Sequence, residues 1–318
     1  MAGSFRLGRL AGIDIYINVS WLIAVVLLTV STASGWFPTL YPGASALVYG
    51  LLGLIASLLL FLSVLLHELA HSLVARARGL EVKNIVLFIF GGVSNIEQEP
   101  KSAGVEFQMA LVGPVVSLLL GGLAFLLWWP LAGRQSAVGA VLYYLAVANV
   151  ILGVFNLIPG FPLDGGRVLR SIIWKITGKA QTATEIAVAV GAGIAYLFIL
   201  VGIWIAFTGN FVDGIWIGFI GWFMLSAAQS VRAQATFDRV FGNVTVEQVM
   251  NRNVVTAPAN ISLQKLVDEY ILPQGLRSIL VMRGDQFAGL ITLSDIRHVP
   301  REEWAQTPVG LAMVPVEK

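Results

Sequence analysis

The thirty residues from Ala46 to Ala75 carry only three side chains that charge near neutral pH, His67, Glu68 and His71. A run that long and apolar can cross a bilayer. In lipid its backbone must satisfy its own hydrogen bonds, so it has to be a helix. Positions four apart on a helix lie on one face, a turn apart, so His67 and His71 point the same way. Two imidazoles so placed can share a zinc ion, and Glu68 beside that face can act as general base on a water there. The short pattern His-Glu-x-x-His is common by chance, and a polar helix end near water is the plain alternative. The setting argues against it, because ionisable groups inside a membrane segment are costly and usually functional.

The rest of the chain fits that setting. Mean hydropathy is +0.81, with 57% hydrophobic and 12% charged residues; soluble domains run near 25% charged. A net charge of +2 argues against nucleic acid as a partner. The absence of cysteine leaves histidine, carboxylate or carbonyl oxygen as the only metal ligands. Six membrane spans are predicted, at about 19–35, 46–75, 105–129, 138–157, 186–207 and 211–231. Residues 1–18 read as an amphipathic lead-in, and Pro38, Pro42 and Gly43 as a loop after the first span. With the N-terminus inside, twelve lysines and arginines from Arg6 to Arg239 fall on the inner side and Arg134 alone on the outer. That asymmetry predicts a multi-pass cell-membrane protein with both termini in the cytoplasm. The lipid bilayer is then a partner by construction.

Residues 81–99 are too short and too charged to cross, and Val, Ile and Phe dominate them. They predict a β-hairpin or small sheet on the membrane face, with an interfacial loop as the alternative. Phe90, Gly91, Gly92 and Val93 in that strand are candidate substrate contacts. An extended peptide could add to the sheet edge there, with the glycines allowing close approach. Gly113 and Ser117 open the third span with a small-xxx-small pattern that lets helices approach. The fourth span ends in Asn156-Leu-Ile-Pro-Gly-Phe-Pro-Leu-Asp164-Gly-Gly, a sequence that cannot be regular helix throughout. Asp164 lies in a glycine-flanked turn on the same side as His71. It is the candidate third zinc ligand, with an ordinary Asp-Gly turn as the alternative.

These motifs together resemble the site-2 protease family of intramembrane zinc metalloproteases. Its HExxH stands here as His67-Glu68-Leu-Ala-His71, its GxxxS/N/G element as Gly113–Ser117, and its NxxPxxxxDG motif as Asn156…Pro159…Asp164-Gly165. The resemblance implies one Zn2+ per chain on His67, His71 and Asp164, and Glu68 as base. It implies that Asn156 helps hold the substrate or its oxyanion. It also implies that the substrates are transmembrane segments of single-span regulatory proteins.

Hydropathy falls after about Phe241, which divides the chain into a protease domain, 1–240, and a small α/β module, 241–318. Strands are predicted around Val249–Thr256, Ser278–Met282 and Ala288–Leu293, and helices at Ser262–Tyr270 and Ser294–Val299. Gly289-Leu-Ile-Thr292-Leu-Ser-Asp295-Ile resembles the end of a CBS motif. That likeness implies regulation and an adenosine nucleotide near Thr292 and Asp295, with a ligand-free module for homodimerisation or packing as the alternative. Val309–Pro315 resembles the start of a second motif that stops at Lys318. The fold class expected is therefore an α-helical polytopic membrane protein of six helices with a small membrane-face sheet, plus a C-terminal α/β CBS-like domain. Two other functions compete: a CBS-regulated transporter or channel with a His/Asp ion site, and a zinc-binding pseudoprotease. Glu68 argues against both, since neither needs a base beside two ligands.

Overall fold

A computed structural model describes residues 3–241 and 244–316, without the side chains of 238–240. The side chain of Arg239 and the final Lys318 lie outside the described residues. The chain divides into two compact units, Met1–Val240 and Phe241–Lys318.

Among the described residues of the first unit six helical segments are long and apolar enough to cross a membrane: Ser20–Leu40, Ala46–Ala77, Ala103–Leu131, Ala137–Asn156, Ala180–Thr208 and Phe211–Phe237. The first comprises α1 (Ser20–Ser31), one π turn and α2 (Phe37–Leu40). Pro38 therefore belongs to the span and not to the loop expected for it. It stands in the first turn of α2, where its missing N–H costs no hydrogen bond. Serines set the starts of the next three helices: α3 (Ala46–Ala77), α4 (Ala103–Trp128) and α5 (Ala137–Asn156). Ser45, Ser102 and Ser136 each accept a hydrogen bond from the free backbone N–H three residues on. α3 is about 48 Å long, more than a bilayer core needs, and His67 lies about 32 Å from its start.

The lead-in is not an isolated amphipathic segment. It forms a β-hairpin, β1 (Ser4–Leu10) and β2 (Ile13–Asn18), in a four-stranded sheet with β3 (Val82–Phe88) and β4 (Gly91–Ile96), in the order β1-β2-β3-β4. The cause is local: Ile13, Ile15 and Ile17 are buried while Asp14, Tyr16 and Asn18 between them are not, the two-residue period of a one-sided strand. β2 pairs parallel with β3, Asp14 opposite Asn84, and β3 pairs antiparallel with β4, as the hairpin expectation had it. The inner face, Ile13, Ile15, Ile85 and Leu87, packs on Leu65 and Leu69 of α3. The sheet is thus fastened to the helix turn that carries His67.

After α5, Pro159 and Pro162 keep the backbone out of helix. It restarts at α6 (Asp164–Thr177), with Leu163 extended before it. Asp164 is therefore the first residue of a helix and not a turn residue as expected. The positive end of the helix dipole favours a carboxylate there. α6 stops at Gly178, whose φ of 71° suits a residue without a Cβ. α7 (Ala180–Thr208) and α8 (Phe211–Phe241) complete the unit.

The second unit orders β5 (Thr256–Pro258), β6 (Ser278–Arg283), β7 (Gln286–Thr292) and β8 (Val314–Pro315) in one sheet, β5-β6-β7-β8. Its core is Leu263, Leu266, Ile279, Val281, Ile291, Ile296 and Val309. Each such side chain taken out of water contributes roughly 1.5–3 kcal/mol. Helices α9 (Val246–Val249), α10 (Leu263–Leu266), α11 (Leu272–Gln274), α12 (Leu293–Arg297) and α13 (Val309–Ala312) surround it. Val249 ends a short helix, so the strand expected from it begins only at Thr256. Thr245 and Gln248 form a capping box that wins over the β-propensity of the valines.

Candidate metal centre

α3 places His67 and His71 one turn apart, both buried, with their Nε2 atoms 3.1 Å from each other. Asp164 Oδ2, at the start of α6, lies 3.1 Å from each of them. Tetrahedral zinc ligands bonded at about 2.0–2.1 Å sit about 3.3 Å apart, so an ion of that size fits just off the plane of this triangle. The expected ligands come together. They are the one group of three or more His, Asp or Glu side chains that could hold a metal among the described residues.

The surroundings prepare the donors. His71 Nδ1 lies 2.5 Å from the Met109 carbonyl, which can only accept, so Nδ1 carries the proton and the Nε2 lone pair points at the shared site. His67 Nδ1 lies 2.9 Å from the hydroxyl of Ser117, which is fully buried. Both partners belong to α4. So does Gly113, where a Cβ would overlap His71 Nε2 and lie 2.6 Å from His67 Nε2. Space at the centre therefore depends on residue 113 having no side chain. Gly113 and Ser117 carry more than the helix-packing role read from their spacing: they form the wall of the centre and one of its hydrogen bonds. The Met109 carbonyl left no trace in the sequence, because any residue supplies one.

Charge at the centre follows from the same convergence. Asp164 Oδ2 and the two Nε2 atoms converge as three electron-pair donors, with the Nδ1 proton of His71 turned away from them. A divalent cation would supply the positive charge that such a donor set needs. α6 is anchored by an ion cluster, buried at Arg170 and Glu106 and exposed at Glu99. Arg170 Nη1 donates to Glu106 Oε1 on α4 and Nη2 to Glu99 Oε2, each at 2.9 Å. Glu106 is 0% exposed and Arg170 8%. Burial works against the Arg170 charge, and the two carboxylates outweigh it and raise its pKa. Removing one partner from such a pair costs about 3–5 kcal/mol.

Glu68 stands beside the triangle, half-buried, with Oε2 accepting a 2.8 Å bond from Ser94 of β4. A Cβ at Gly92 would lie 3.2 Å from the Glu68 carboxyl carbon. Among the described residues β4 pairs only with β3, which leaves its other edge open. Of the four candidate substrate contacts, Gly91, Gly92 and Val93 are on this strand. Phe90 precedes it, and its ring lies 4.5 Å from that of Phe223 on α8. Asn156 is the last residue of α5 and donates to the Leu152 carbonyl at 3.0 Å, a helix-end bond. In the second unit, Thr292 and Asp295 bond each other in a capping box at the start of α12, Oγ1 to Oδ2 at 2.7 Å. That bond holds Asp295 below its usual pKa.

Comparison with known proteins gives a consistent picture. The model for peptidase family M50 matches residues 55–133 and 131–200, and the model for the CBS domain matches 246–302. A Synechocystis protein named putative zinc metalloprotease is 38% identical over 98% of this chain and 82% of its own. One of the same name from Mycobacterium tuberculosis is 34% identical over 99% and 81%. A solved site-2 protease from Methanocaldococcus jannaschii superposes with a TM-score of 0.49 at 29% identity, covering 71% of this chain and 94% of that one.

Proposed function

This chain belongs to peptidase family M50, a family of zinc metalloproteases, and from that membership we propose that it hydrolyses peptide bonds within transmembrane segments of single-span regulatory proteins. In this reading His67, His71 and Asp164 hold the zinc, and both termini lie in the cytoplasm. The observation that carries it is the 3.1 Å convergence of the three ligand atoms beside the Glu68 carboxylate and the open edge of β4.

The residues divide the work. Zinc, when bound, supplies a Lewis acid for the scissile carbonyl and lowers the pKa of a water at its open position toward about 7. Glu68, beside those three ligands, is placed to take a proton from the attacking water and to pass it to the leaving amine. Met109 and Ser117 keep the imidazoles turned so that Nε2 faces inward. A substrate helix has its carbonyls bonded internally and must be unwound before attack. The edge of β4 offers an unwound segment new backbone partners next to Glu68, and Asn156 is assigned to the substrate side. The CBS domain is assigned a regulatory role. An adenosine nucleotide there would have to share Asp295 with the capping of α12.

Co-expression with a single-span membrane protein tests the reading. Cleavage is expected from the wild type, with loss on chelation of divalent metal and recovery on adding zinc. Product that persists without metal would overturn it. The strand role is tested by Val93→Pro, on a side chain that is exposed and opposite in phase to Gly92 and Ser94. Proline removes a backbone donor, and cleavage is expected to fall about tenfold, the worth of one or two hydrogen bonds. Unchanged cleavage would remove strand pairing from the mechanism.

A further inference from the structure

Ser94 lies on β4, the strand assigned above to the substrate, yet its side chain points at the base. Its Oγ is 2.8 Å from Glu68 Oε2 and 3.2 Å from the Glu68 carbonyl. Ser72 Oγ on α3 donates to it at 3.1 Å. A hydroxyl has one proton. With Ser72 supplying a donor to Ser94, the Ser94 proton is free to go to Glu68, and the shorter contact is to the carboxylate. Ser72 is fully buried and Ser94 half-buried. One oxygen of Glu68, Oε2, is thereby pinned to the sheet. Gly92, two residues earlier on the same side of the strand, leaves room for the Glu68 side chain to lie against β4: a Cβ there would be 3.2 Å from the carboxyl carbon.

We propose that Ser94 is a positioning residue for Glu68, and that it ties the orientation of the base to the strand along which the substrate is laid. The proposal rests on the protease reading above. Pairing of a substrate segment with β4 moves or steadies the strand. The Ser94 hydroxyl carries that change to Glu68 with no intervening group. Catalysis thus becomes sensitive to whether the edge is occupied, while the zinc ligands on α3 and α6 are left alone.

The test uses the purified full chain in detergent micelles and a fluorogenic peptide built on an apolar single-span segment. Ser94→Ala is expected to lower kcat about tenfold, the loss of one hydrogen bond to a charged group, with KM changed less than about twofold. Zinc content should equal that of the wild type. Ser94→Thr keeps the hydroxyl on a strand-compatible side chain and should recover kcat to within about threefold. Unchanged kcat in Ser94→Ala, loss of zinc from it, or equal loss in the alanine and threonine variants would each overturn the proposal. Glu68→Ala run alongside separates the two levels. If it cleaves like the wild type, the protease reading has failed and not the role of Ser94 alone.

Discussion

Glu68→Ala is expected to abolish cleavage while leaving zinc in place. A positioned general base contributes about 10²–10⁴-fold, so residual activity should be at or below about one per cent. Zinc should remain because Glu68 is not one of the three converging groups. His67 and His71 keep their Nδ1 partners on α4, and Asp164 keeps its place at the head of α6. Alanine is also the best helix former, so α3 is not weakened at this position. His67→Ala is the complement: it should lose both zinc and activity, since the two ligands that remain of three bind metal poorly. Metal content and cleavage measured on the same preparations separate the roles. Zinc lost with Glu68→Ala would make Glu68 a ligand, and full cleavage by that variant would remove it from the chemistry.

Gly113→Ala should be as damaging, through space and not chemistry. On an ordinary helix, alanine in place of glycine stabilises by about 0.5–1 kcal/mol. Here the added Cβ would overlap His71 Nε2 and lie 2.6 Å from His67 Nε2. α4 cannot simply retreat. Met109 and Ser117 hold it to both histidines, and Glu106 holds it to α6 through Arg170. The imidazoles must turn aside instead, which costs them their inward lone pairs. Zinc content is expected to fall at least about tenfold, and cleavage with it, while the protein remains folded by circular dichroism. Full zinc occupancy in Gly113→Ala would show that the centre has slack.

The centre was legible because its parts are expensive in lipid. A His-Glu pair within an apolar run, and an Asp after a broken span, stand out against hydropathy, and charge asymmetry predicts that they lie on one side of the membrane. What the sequence hid was relational. Ile13, Ile15 and Ile17 carry a plain strand period, but their partner strand lies beyond two spans, so the segment reads alone as a lead-in. Arg170 counts as one more inner cation until α6 folds against α4 and seats it between Glu99 and Glu106. Ser94 is an unremarkable serine in sequence, and only the pairing of β4 against β3 turns it toward Glu68. Asp164 was identified by residue type and depth, whereas its local conformation was misjudged. The prolines end one helix, and the short helix that follows, α6, is held in place by Arg170 against Glu106 of α4.

The parallel pairing of β2 with β3 bears on how the enzyme is made. Asp14 and its partner Asn84 are joined by two complete membrane crossings. During synthesis at about 5–20 residues per second, the first hairpin exists for several seconds with no strand to receive it. Until the second crossing is finished, its inner edge is an unpaired β-edge beside the membrane. The arrival of β3 closes that edge, fastens the sheet to α3, and brings the strand ahead of β4 into place. The order of translation therefore keeps the hydrolytic machinery unassembled until both crossings that frame it have been laid down.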